Sequence, residues 1–131
     1  MKVAVDTSVL VRAAVCDDPA QAKIAAQVLT DADSIAIALP CLCEFVWVLL
    51  KVYGLQPSDA AVSIRALLAA SNVEVNRPAV EAGLSVLEAG GDFADGVIAY
   101  KGQWLGGKTF VSFDKKALAI LSAQGHSVRL L

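Results

Sequence analysis

The chain reads as an α/β fold with a mostly parallel sheet of about five short strands, and two observations carry that reading. Short β-forming runs at 2–5, 34–39, 73–75, 109–113 and 126–130 alternate with longer segments of helical spacing. Asp6 and Asp114 directly follow two of these runs. In parallel α/β sheets the working site lies outside the carboxyl ends of the strands, so carboxylates placed there are candidates for chemistry.

In order, the strand at 2–5 leads to Asp6, and Thr7 and Ser8 are cap candidates for a short helix at 9–15. Asp18, with Pro19 after it and Gln21 three residues on, opens a helix to about residue 29. After the strand at 34–39, closed by Pro40, the residues Leu42, Phe45, Val46, Leu49 and Tyr53 recur at helical spacing until Gly54. Glu44 is expected in the first turn of that helix.

Ser58 and Asp59 are cap candidates for an alanine-rich helix at 58–70. A helix at 78–89 has proline at its start and Gly90-Gly91 beyond its end. Asp92 reads as the cap of a helix at 93–105, with Asp95 three residues later and Gly106-Gly107 as the stop. The strand at 109–113, a helix at 115–122 and the last strand complete the chain.

The 131 residues fit one domain spanning 1–131. A hydrophobic fraction of 56% and a mean hydropathy of +0.60 imply a large core, apolar surface that meets a partner, or both. The most apolar region, 35–50, is broken by Pro40 and Glu44, so no membrane span is expected. The amino terminus lacks the apolar core of a signal peptide, which places the protein in the cytoplasm. Cys16, Cys41 and Cys43 have no zinc-ligand spacing and read as small, reduced, buried thiols. The net charge of −2 gives no general footprint for nucleic acid, so any such contact must be local.

Asp6, Glu44, Asp95 and Asp114 are the candidate site. Each alone has an ordinary explanation as a turn residue, a solvated charge or a helix cap. Together, without interleaved lysine or arginine, such acids repel and call for a cation, and all-oxygen ligands select Mg²⁺ or Mn²⁺. Glu44 weighs most, because it lies in an apolar stretch where an unpaired carboxylate is costly. Such a centre activates water and offsets charge on a phosphoryl group, which implies phosphodiester hydrolysis. Thr7, Ser8 and Ser112 are placed to orient the acids, and Arg12, Lys108 and Lys115 to contact phosphates.

Val-Asp-Thr-Ser-Val-Leu-Val-Arg at 5–12, Glu44, Asp-Phe-Ala-Asp-Gly-Val-Ile-Ala at 92–99 and Phe-Val-Ser-Phe-Asp at 110–114 resemble the PIN domain, in particular VapC-type toxins of toxin–antitoxin pairs. The resemblance implies a three-layer α/β/α fold and a metal-dependent endoribonuclease. Its four acids match Asp6, Glu44, Asp95 and Asp114, with Asp92 as accessory and Ser8 and Ser112 as the neighbouring hydroxyls. It also implies a VapB-type antitoxin partner, a homodimer, and contact with DNA only through the antitoxin. The alternative is a PIN-like module that docks a partner, in a groove beside Trp47 and Leu50, with little turnover. Gly96 stands where alanine is common, at about 1 kcal/mol of helix propensity.

Residues 102–109 also spell the P-loop pattern G-x-x-x-x-G-K-T. That mechanism needs a strand before the loop and a helix after it, whereas here a helix precedes and a strand follows.

Overall fold

The computed structural model describes all residues, 1–131, as an α/β chain whose strands pair in parallel. It packs as two compact units, Met1–Asn76 and Arg77–Leu131.

The first unit runs β1 (Lys2–Ala4), α1 (Thr7–Val15), α2 (Pro19–Asp31), β2 (Ser34–Ala36), α3 (Leu39–Lys51), α4 (Pro57–Ala69) and β3 (Val73–Glu74). Its sheet has the order β1-β2-β3, with Val3 opposite Ile35 and Ile35 opposite Val73. Each parallel crossover is made by a helix pair. The apolar stripe expected on α3 is correct, since Leu42, Phe45, Val46 and Leu49 are buried, joined by Leu10 and Ile64 from α1 and α4.

Several ends differ from expectation. Asp6, rather than Thr7 or Ser8, is the cap of α1: its Oδ1 accepts from the Thr7 N–H at 2.8 Å. The helix therefore starts two residues early, because a carboxylate directly after the strand meets the first free amides. Pro40 opens α3 instead of closing a strand, since proline lacks an N–H that the first turn would leave unused anyway. Gln56, not Ser58 or Asp59, precedes α4, and the Asp59 carboxylate accepts from the Gln56 N–H at 3.0 Å. Asp18 caps α2 as expected, accepting from the Gln21 N–H at 3.1 Å.

The second unit runs α5 (Arg77–Glu88), α6 (Phe93–Trp104), β4 (Thr109–Ser112), α7 (Lys115–Ala123) and β5 (Ser127–Leu130). Strands β4 and β5 pair in parallel with Phe110 opposite Val128, linked by α7. Val86, Ala99 and Leu121 form a core cluster closed by Phe110, Ile120 and Val128.

Helices α5 and α6 approach so closely that glycine is required. A Cβ on Gly96 would lie 2.4 Å from the Ala82 carbonyl oxygen, and one on Gly83 would lie 2.7 Å from the Phe93 ring. Glycine at 96 thus has a packing reason that helix propensity did not show. The P-loop spelling is a connector: Gln103 and Trp104 belong to α6, the Gly107 N–H closes the helix end on the Gly102 carbonyl at 2.9 Å, and β4 follows.

The thiols are less buried than expected: Cys16 is exposed, and Cys41 and Cys43 are half-buried. No helix is long and apolar enough to cross a membrane.

Candidate functional site

In the first unit the parallel pairing of β1 and β2, with Ala4 opposite Ala36, brings the chain leaving each strand to the same edge of the sheet. That places Asp6, at the mouth of α1, beside the opening of α3. The Asp6 carboxylate is held by its own helix: besides the Thr7 amide, the Ser8 hydroxyl donates to Oδ2 at 3.2 Å. Both Asp6 oxygens are thus engaged by the first turn of α1.

Thr7 turns elsewhere. It is the chain's buried polar residue, and its hydroxyl donates to Cys41 Sγ at 3.6 Å. Burial pushes the Cys41 thiol up in pKa, the Thr7 hydroxyl pulls it down, and the charges of Asp6 and Glu44 add to the rise. Asp6 and Glu44 are therefore both within electrostatic reach of one sulfur. Cys41 went unnoticed as part of the site, although its position three residues before Glu44 on a helix was a readable signal.

Glu44 itself requires two corrections. Because α3 begins at Leu39, no acid lies in its first turn, and Glu44 sits one turn further along, where the helix dipole no longer favours a negative charge. It is also exposed, on the face shared with Trp47, so the cost of a buried carboxylate does not apply. The apolar neighbours in sequence point to the other side of the helix.

In the second unit the charges of Asp92 and Asp114 reach Asp95 at the start of α6. Asp92 is its cap, accepting from the Ala94 N–H at 3.2 Å, and Asp95 lies in its first turn, as expected. Asp114 caps α7, accepting from the Ala117 N–H at 3.1 Å, while the Ser112 hydroxyl accepts from the Asp114 N–H at 2.9 Å. Ser112 thus braces the backbone that carries Asp114. The Asp95 carboxyl is half-buried and raised in pKa, first by desolvation and then by the negative charges of Asp92 and Asp114.

Of the candidate phosphate contacts, Arg12 is engaged within its unit. Its Nε donates to Gln21 at 2.7 Å and its Nη1 to the Tyr53 hydroxyl at 3.3 Å, with Asp17 at 3.6 Å. Lys108 and Lys115 are exposed. Phe113, beside Asp114, is 79% exposed.

The structure thus places Asp6 and Glu44 within electrostatic reach of Cys41, and Asp92 and Asp114 within electrostatic reach of Asp95. No three His, Cys, Asp or Glu side chains are gathered into a group able to hold a metal ion. The donors are all carboxylate oxygens, the type that suits a hard divalent cation, and the crowding of charge at Asp95 is what such a cation relieves.

The parallel α/β topology sets carboxylates at the mouths of α1, α6 and α7. The chain belongs to the PIN domain family, whose pattern matches residues 3–121. PIN domains are generally nucleases, typically metal-dependent. A comparison with curated proteins finds no match.

Proposed function

We propose that the chain, as one PIN domain over residues 1–131, is an endoribonuclease that uses Mg²⁺ or Mn²⁺ held by Asp6, Glu44, Asp95 and Asp114. The observation that carries this reading is the family match over residues 3–121, which takes in all four acids in their expected order. When bound, a divalent cation would supply a water of lowered pKa and offset charge on the phosphoryl group. The residues of the chain do the rest. Ser8 and the Thr7 amide aim Asp6, Asp92 fixes the start of α6 and with it Asp95, and Ser112 braces Asp114. Lys108 and Lys115 contact phosphates, supplying affinity that carboxylates cannot. Arg12, already bonded to Gln21 and Tyr53, contributes to that role least.

The finer reading is a VapC-type toxin acting in the cytoplasm and silenced by a VapB-type antitoxin. Its support is the sequence resemblance, together with a groove of about 400 Å³ along α1 and α2 in which Val9, Ile24, Ala25 and Val28 are joined by Ser8, Arg12 and Gln21. An amphipathic helix docks in such grooves. Trp47, Val52 and Val62, 58–69% exposed, favour self-association into a homodimer, which light scattering checks. The same surface supports the second reading, a partner-docking PIN module with little turnover.

The deciding experiment is RNA cleavage by the purified protein with Mg²⁺ or Mn²⁺, repeated with a chelator. Cleavage is expected to stop on chelation and return with metal. Cleavage that continues in the chelator sinks the metal-dependent reading, and inertness on every RNA alongside tight partner binding selects the docking module.

A further inference from the structure

We infer that Thr7 and Cys41 are positioning residues that fix Asp6 relative to Glu44, an inference that rests on the metal-dependent reading above. Both chain neighbours of Asp6 are tied to one sulfur. The Thr7 hydroxyl donates to Cys41 Sγ at 3.6 Å, and Sγ donates to the Val5 carbonyl at 3.7 Å. Cys41 precedes Glu44 by three residues on α3, so the two share a helix face one turn apart. The thiol therefore links the loop that carries Asp6 to the helix that carries Glu44.

The chemistry argues against mere packing. Thr7 is only 7% exposed, and a buried hydroxyl must find a partner. A valine would fill nearly the same space and need none. Thiols are weak donors and acceptors, so the link adds little to stability. What it does is hold two backbones in register. Because the Thr7 amide also donates to Asp6 Oδ1 at 2.8 Å, a shift of Thr7 moves the carboxylate with it. Outer partners that orient metal ligands commonly change metal affinity without touching the ion.

The test is a calorimetric titration of the full chain with MnCl₂, with melting temperatures read on the same samples. Thr7→Val and Cys41→Ala are each expected to weaken Mn²⁺ binding about tenfold. The double variant is expected to be no weaker than the worse single one, since both break the same link. Thr7→Ser, which keeps the hydroxyl, is expected to bind as the wild type does. If Thr7→Val fails to fold, Cys41→Ala and Thr7→Ser still decide.

Wild-type affinity in both Thr7→Val and Cys41→Ala, or losses that multiply in the double variant, would overturn the inference while leaving the metal reading intact. A wild type that takes up no Mn²⁺, indistinguishable from Asp6→Asn, overturns the metal reading and this inference together.

Discussion

Asp6 and Asp95 are both carboxylates at the mouth of a helix, yet their surroundings differ. Asp6 is exposed and spends both oxygens on local donors, the Thr7 amide and the Ser8 hydroxyl. Asp95 is half-buried, faces the charges of Asp92 and Asp114, and is raised in pKa as a result. One acid is aimed by hydrogen bonds, and the other is held under electrostatic tension. Two acids proposed for the same role thus rest on different physical supports, so substitutions in the two regions are expected to separate function from stability differently.

The largest effects are expected on cleavage. Asp6→Asn and Asp95→Asn should each lower RNA cleavage by more than about a hundredfold, beyond the usual loss for partners that only orient a metal ligand. Glu44→Gln sharpens the comparison further, because Glu44 is exposed and has no first-turn dipole to explain it. It should abolish cleavage while leaving urea stability within about 0.5 kcal/mol, as surface substitutions do. Full activity in Glu44→Gln would reduce Glu44 to a solvated charge.

Next in size is Gly96→Ala. Alanine improves helix propensity, but its Cβ would meet the Ala82 carbonyl at 2.4 Å, backbone that has no rotamer to yield. Overpacking outweighs propensity, and a net loss of about 2 kcal/mol in urea unfolding is expected. Asp92→Ala should cost about 1 kcal/mol through the lost cap. It should also lower the pKa of Asp95, read by carboxyl NMR, by removing one of the two repelling charges.

The smallest effect carries a distinctive sign. Because the folded pKa of Asp95 is raised, the folded protein holds that proton more tightly than the unfolded chain, so the ionised group costs stability above the folded value. That cost disappears as pH falls toward the unfolded carboxylate value of about 4. Metal-free Asp95→Asn should therefore be more stable than wild type at pH 7, by less than about 1 kcal/mol because solvent screens a half-exposed carboxylate. The advantage should vanish in melts near pH 4. The same substitution that lowers cleavage would thus stabilise the fold.

Much of this was legible in the sequence because it rests on local signals. Alternating strand and helix patterns, Asp18 before Pro19, and Asp92 with Asp95 all announce helix starts through short-range chemistry. What was not legible depends on direction and distance in space. The apolar run around Glu44 suggested burial, but a helix has two sides, and Glu44 shares the exposed one with Trp47. Gly96 looked like a weak spot in a helix because its neighbour in space, Ala82 on α5, is far away in the chain. The Thr7–Cys41 link spans 34 positions between residue types with no strong pairing preference, so no motif records it.

The proposal that Asp95, with Asp92 and Asp114 near it, receives a cation is put to the most direct test by following the Asp95 carboxyl carbon by NMR through a pH titration with and without Mg²⁺. A raised pKa is expected in the metal-free protein, falling when Mg²⁺ is added because the cation favours the ionised form. An Asp95 pKa that stays raised and unmoved at saturating Mg²⁺ would contradict it.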